Sequence, residues 1–302
     1  MKFFYKEKID EYKRIYHFLG FKFVKIKKKT PTWKLTNSKI DDAVITLKTL
    51  RNLSIRINTI TTMVLGSSHA RMGFIENEHS INFGIDSQDL YYSYEILKKY
   101  INIIPNLKNI VLYYAIFCAG HDLGNSPQSD RCVYYKKYFD IPYKNNYLAL
   151  KDRLPELSKS LDKFYNHIIK KVSLIPLDIM NSNIKPKNSE ILENKWIKTW
   201  QKLNALNTQN HYLEMILKLA KENNKEVLVI CSAYNPRIKN KLKSSNELFS
   251  SVFDICSKYS NADVLNAFDD ESFTEDDFLD IEHMSISGAR KMTNKIYERL
   301  KK

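Results

Sequence analysis

Apolar residues gather along this chain in short runs rich in β-branched and aromatic side chains. Five stand out, at residues 60–65, 80–85, 109–117, 226–232 and 262–268. Each has strand length and gives way to polar or turn residues, as buried strands do. Segments of helical period lie between them, for instance over 87–101 and 244–259. This alternation predicts a parallel sheet covered by helices on both faces. The interval 122–225 breaks the rhythm with a polar loop (122–131), a helical stretch (151–172), a Pro/Asn/Ser-rich connection (175–189) and two further helical patterns ending near Glu222. A structureless loop of that length would be unusual, so a mostly helical insertion over about 123–224 is expected between the third and fourth strands. Near the C-terminus, Ser285 and Ser287 are candidate N-caps of a last helix. Its Ile286, Ala289, Met292, Ile296 and Leu300 form an apolar stripe that should dock on the sheet and fix His283 just ahead of it.

With 302 residues and 43% apolar content, the chain can bury the core of one large domain, read here as 41–302. The formal charge of +14 is uneven. Residues 1–34 carry eleven Lys/Arg against Glu7, Asp10 and Glu11, a net +8 that leaves +6 for the remainder. Residues 1–40 therefore read as a basic, aromatic-rich arm, too often interrupted by lysine and arginine to be a signal peptide or spanning helix. No other segment reaches membrane length, and a cytoplasmic protein is expected. Two roles stay open for the arm: peripheral contact with an anionic inner-membrane surface, or a solvated extension. Charge alone points to nucleic acid, but no recognition motif accompanies it, and no nucleic-acid partner is expected. Cys118, Cys132, Cys231 and Cys256 lack C-x-x-C spacing and read as buried reduced thiols.

The first predicted strand ends abruptly in Gly66-Ser67-Ser68 at what should be the start of a helix. A serine there exposes its hydroxyl, with helix N-terminal N–H groups behind it to stabilise a developing negative charge. Far downstream, Asp280 and His283 lie one turn apart, so that the carboxylate can hold the imidazole tautomer whose Nε2 faces Ser68. His69 follows Ser68 too closely in sequence to face it, and reads as a packing residue. Tyr234 and Arg237 follow the fourth strand on the same sheet edge and are candidate substrate-binding residues. For Arg237 a surface ion pair is an equal alternative.

On these residues the chain resembles the SGNH, or GDSL, hydrolases. Gly66-Ser67-Ser68 is similar to their first motif, which makes Ser68 the nucleophile, and Asp280 and His283 match their last. Gly84, in Asn82-Phe83-Gly84, looks like the glycine whose N–H serves the oxyanion hole beside that of Ser68. Their third motif is usually Gly-x-Asn-Asp, whereas this chain reads Ala119-Gly120-His121-Asp122, leaving His121 or Asn125 as the third oxyanion donor. The resemblance implies a three-layer α/β/α, flavodoxin-like fold with a parallel sheet of about five strands in order 2-1-3-4-5. The 113–117 strand and the basic arm look similar to members from bacterial capsule and lipopolysaccharide loci.

The expected function is a serine esterase or O-acetyltransferase that acts on a carbohydrate, with an acylated sugar, or an acyl donor and a sugar acceptor, as partners. No metal or tightly bound cofactor is implied. Whether water or a sugar hydroxyl resolves the acyl-enzyme stays open. Two alternatives are a catalytically weak glycan- or membrane-binding accessory protein, favoured by the altered third motif, and a flavodoxin-like cofactor binder, disfavoured by the absence of a Gly-rich phosphate loop after the first strand.

Overall fold

The computed structural model describes residues 4–8, 13–18, 21–26, 37–144, 153–163, 165 and 190–301. At the N-terminus, β1 (Phe4–Lys8), β2 (Lys13–Phe18) and β3 (Phe21–Ile26) form an antiparallel sheet in that order. Phe18 stands opposite both Phe4 and Phe21. The segment read as an arm thus has a sheet of its own. Its strand signal is the aromatic and β-branched content of Phe21, Phe23, Val24 and Ile26, which the weight of charge obscured. Lys27, Lys28 and Lys29, which supply part of the arm's charge, lie outside the described residues.

The long helix α1 (Asn37–Arg56) leads into the main domain. There follow β4 (Thr62–Leu65), α2 (Ser68–Gly73), β5 (Ser80–Asn82), α3 (Leu90–Tyr100) and β6 (Asn109–Tyr114). Next come α4 (Cys132–Phe139), α5 (Arg153–Lys163), α6 (Glu190–Leu206) and α7 (Asn210–Glu222). The chain closes with β7 (Glu226–Cys231), α8 (Pro236–Lys239), α9 (Ser245–Cys256), β8 (Ala262–Asn266) and α10 (Ile286–Leu300). The five later strands form one parallel sheet in the order β5-β4-β6-β7-β8, the expected 2-1-3-4-5 arrangement.

Alternation along the strands divides the core into two layers. Met63, Leu65, Ile110, Leu112, Tyr114, Val227 and Val229 pack toward residues of α3, α7 and α9. Val64, Val111, Tyr113, Leu228 and Ile230 pack on the opposite face with Ala70 of α2 and with Ala289, Met292 and Ile296 of α10. Strands buried on both faces explain why the runs are continuously apolar rather than alternating. All four cysteines are buried free thiols.

The interval between β6 and β7 differs from a simple insertion. Its last helix, α7, packs against α3, α9 and β7 and buries Leu213, Ile216, Leu217 and Ala220, so it is the crossover helix that any parallel β6–β7 connection requires. The connection at 175–189, and the end of the helical stretch beyond residue 165, lie outside the described residues. Helix α6 packs on the 3-10 turn Ile116–Ala119 that follows β6. Among the described residues no helix is long and apolar enough to cross a membrane.

Candidate active site

Gly66 ends β4 with φ +134°, a conformation open to glycine, and a Cβ there would come within 2.9 Å of the Tyr113 carbonyl oxygen. This tight turn throws the chain straight into α2, whose N-cap is Ser67 and whose first residue is Ser68. The Ser68 N–H therefore has no acceptor within its own helix. Arg71, one turn on, anchors α2 to the loop after β5: its Nε and Nη2 donate to the two carboxylate oxygens of Asp86 at 2.6 and 3.1 Å.

The other half of the site sits on the loop between β8 and α10. Ser285 caps α10, and its N–H donates to the Asp277 carbonyl at 2.9 Å. The Leu279 N–H donates to the His283 carbonyl at 2.7 Å, closing the loop on itself. Asn235, just after β7, braces it by donating its N–H to the Ile281 carbonyl at 3.1 Å and its Nδ2 to the Asp280 carbonyl at 3.2 Å. Both sequence-distant segments thus meet at the carboxyl edge of the sheet, where open α/β folds bind ligands.

Ser68 Oγ lies 2.8 Å from His283 Nε2, and His283 Nδ1 lies 2.8 Å from Asp280 Oδ2. Asp280 Oδ1 accepts the backbone N–H groups of Glu282 and His283 at 2.9 and 2.7 Å. A carboxylate can only accept, so Nδ1 carries a proton, and the neutral imidazole presents its Nε2 lone pair to the serine hydroxyl. Burial works against the charge on Asp280, but its hydrogen bond and attraction to His283 and the two N–H donors hold its pKa below the usual carboxylate value. Burial would likewise depress His283, yet Glu282, the Asp280 hydrogen bond and charge, and Asp86 together raise it to about 9.

The three residues open into a cleft of about 1020 Å³. Its lining includes the aromatic and apolar Phe117 and, from α6, Trp196, Trp200 and Leu203, together with the polar Asp122, Asn125 and Gln128. Beyond Ser68 the cleft carries a chain of alternating charges. Arg131 Nε donates to Asp42 Oδ2 at 3.0 Å, and Arg131 Nη2 stands 3.8 Å from Asp86 Oδ2. Burial raises Asp42 to about 6 against the pull of Arg131. None of Arg71, Asp86, Arg131, Trp196 and Trp200 stands out in the sequence as a site residue. The tryptophans do carry a signal, since Trp196, Trp200 and Leu203 recur at helical spacing on α6. The charged chain carries none, because its members come from four separate parts of the sequence.

The chain matches no protein-family model and no curated protein.

Several expected site residues take other roles. The Gly84 N–H donates to Asn82 Oδ1 at 2.9 Å, and Gly84 does not line the cleft, so this N–H is not presented to an oxyanion. Instead Gly84 lets the chain pass against α2: an alanine Cβ would stand 2.6 Å from the Arg71 backbone nitrogen and 2.9 Å from Ala70 Cβ. Gly84→Ala is accordingly expected to destabilise the protein by about 1–3 kcal/mol through overpacking, read as a lowered midpoint in urea unfolding.

His121 lines the cleft, but its Nε2 faces the Ser87 carbonyl at 2.9 Å. That contact requires Nε2–H to donate and leaves Nδ1 without a proton in the neutral ring. Asn125, which also lines the cleft, donates Nδ2 to Asp122 Oδ2 at 3.2 Å and keeps a second amide N–H to donate. Tyr234 is fully buried beneath the site, accepts the Ile116 N–H at 3.0 Å and packs on His69 and Trp200. Arg237 is ion-paired to Glu193 of α6, the second of the two roles open to it in the sequence. Neither lines the cleft: one supports its floor, the other ties α6 to the sheet edge. His69 is buried against Phe117, Tyr234 and His283.

Proposed function

We propose that this protein is a serine esterase or O-acyltransferase of SGNH type that acts on an acylated carbohydrate. The observation that carries this reading is the continuous Ser68–His283–Asp280 relay, with both contacts at 2.8 Å, opening into a cleft large enough for a sugar. Ser68 Oγ attacks the acyl carbonyl while His283 Nε2 takes its proton. His283 then returns that proton to the leaving oxygen, and the acyl group remains on Ser68. Asp280 fixes the tautomer throughout. The Ser68 N–H and the amide of Asn125 are the donors available for the oxyanion. A carbohydrate is favoured by a cleft that is lined by Trp196 and Trp200 as well as by Asp122, Asn125 and Gln128, since sugars present apolar C–H faces together with hydroxyls.

The test is covalent. An activated acetyl ester should leave one acetyl group on Ser68, seen by mass spectrometry of the quenched reaction, and a fluorophosphonate should label the same residue stoichiometrically. Correctly folded protein that takes up neither label would favour the non-catalytic accessory role.

A further inference from the structure

We propose, resting on the acyl-enzyme reading, that Glu282 positions the acceptor that resolves the acyl-enzyme, taking a hydrogen bond from water or from the neighbouring hydroxyl of a 1,2-diol while His283 takes the attacking proton. Glu282 sits in the cleft between two imidazoles. Its Oε1 is 4.0 Å from His283 Nε2, and its Oε2 is 3.6 Å from His69 Nε2. Neither distance is a hydrogen bond. His69 does not hold the carboxylate in an ion pair, because burial and the neighbouring His283 depress its pKa to about 3 and keep the ring neutral. Its buried Nε2 has no hydrogen-bond partner. Among the described residues no side-chain hydrogen bond reaches the Glu282 carboxylate, and its Oε1 stands 4.0 Å from the same His283 nitrogen that meets Ser68 Oγ. Burial raises Glu282 to about 7, with Asp280 and Asp86 adding to the shift against the pull of His283, so the ionised form is available in mildly alkaline solution.

The 4.0 Å gap between Glu282 Oε1 and His283 Nε2 suits a single intervening oxygen within hydrogen-bond reach of both. In the resolving step that oxygen attacks the acyl carbon and its proton passes to Nε2. The bond from the acyl carbon to Ser68 Oγ then breaks, and Oγ recovers the proton from His283. Water has a second O–H to give to Glu282. A simple alcohol has none, because its one proton goes to His283. A 1,2-diol gives the proton of the attacking hydroxyl to His283 and offers the adjacent hydroxyl to Glu282, as neighbouring hydroxyls of a sugar ring would. Glu282 thereby selects water and vicinal diols over lone hydroxyls.

The full-length protein, acetylated by p-nitrophenyl acetate at about pH 8, where Glu282 is ionised, can be offered ethylene glycol or ethanol at equal hydroxyl concentration, with products quantified by NMR. Wild type should favour the glycol, and Glu282→Leu should lower the glycol-to-ethanol product ratio by about 10-fold. Compared at the plateau of each protein's pH–rate profile, where His283 is basic in both despite the pKa that Glu282 raises, the same variant should hydrolyse acetyl-Ser68 about 10-fold more slowly while the initial release of p-nitrophenol persists. Glu282→Gln, which keeps a neutral acceptor in place and guards against a folding defect in the leucine variant, should fall between. An unchanged product ratio in both variants, or equal slowing of acetylation and deacetylation, overturns the proposal. A wild type that forms no acetyl-Ser68 overturns the acyl-enzyme reading and this inference with it, whereas an adduct with unaltered partition overturns this inference alone.

Discussion

Ser68→Ala is expected to abolish ester turnover, with kcat falling on the order of 10⁵-fold or more, and His283→Ala should fall nearly as far. The two side chains form one proton path, so either loss disables the same step, and the double variant should be little worse than the single ones. The comparison requires kcat for the three variants on one small activated ester. Near-additive losses would mean that serine and histidine act separately, and full activity in Ser68→Ala would overturn the catalytic assignment. Because Ser68 begins a helix capped by Ser67, the substitution leaves the cap in place, and unfolding midpoints should barely move.

Asp280→Asn should lower kcat on the order of 10³-fold or more, through the tautomer rather than through loss of structure. Asp280 Oδ1 already accepts two backbone N–H groups, from Glu282 and His283. An asparagine must keep its oxygen there, which turns its NH₂ toward His283 Nδ1. That nitrogen must then accept, the ring proton moves to Nε2, and the lone pair facing Ser68 is lost. The pH profile provides a second reading. With His283 raised to about 9, its basic form accumulates only as pH rises, so kcat/KM of the wild type should climb through about pH 9. The groups facing this ring are Asp280 and Glu282 on its own loop, Asp86 after β5 and His69 on α2. Removing the Asp280 charge should move the acid limb to lower pH even as the maximum rate falls. An unshifted limb would separate His283 from the titration. For stability the sign is opposite: the raised pKa contributes below the ordinary histidine value, and that contribution is lost as pH rises through about 9.

The five parallel strands were legible because strands buried on both faces need continuous apolar runs, and few folds other than a helix-covered parallel sheet alternate such runs with helical periods. Ser68, Asp280 and His283 were legible for a related reason. A glycine turn at a strand end and an acid one helical turn before an imidazole are local arrangements that sequence spacing can express. Gly84 and His121 were read differently because their roles depend on hydrogen-bond partners, Asn82 Oδ1 and the Ser87 carbonyl, whose geometry no spacing encodes. Tyr234 and Arg237 were placed on the correct edge of the sheet, but their side chains turn toward His69 and Glu193.

Sequence by itself determined the five strands of the parallel sheet and the identity of three residues able to form a proton relay, since each is written in short-range periodicity and turn chemistry, whereas the N-terminal sheet was hidden beneath its charge. Only the tertiary structure decided which N–H groups remain free for an oxyanion, that α6 walls the cleft with Trp196 and Trp200, and that Glu282 stands between two histidines without bonding to either. Those outcomes depend on contacts between segments far apart in the chain, where burial and competing hydrogen-bond partners, rather than residue type, fix what each group is free to do.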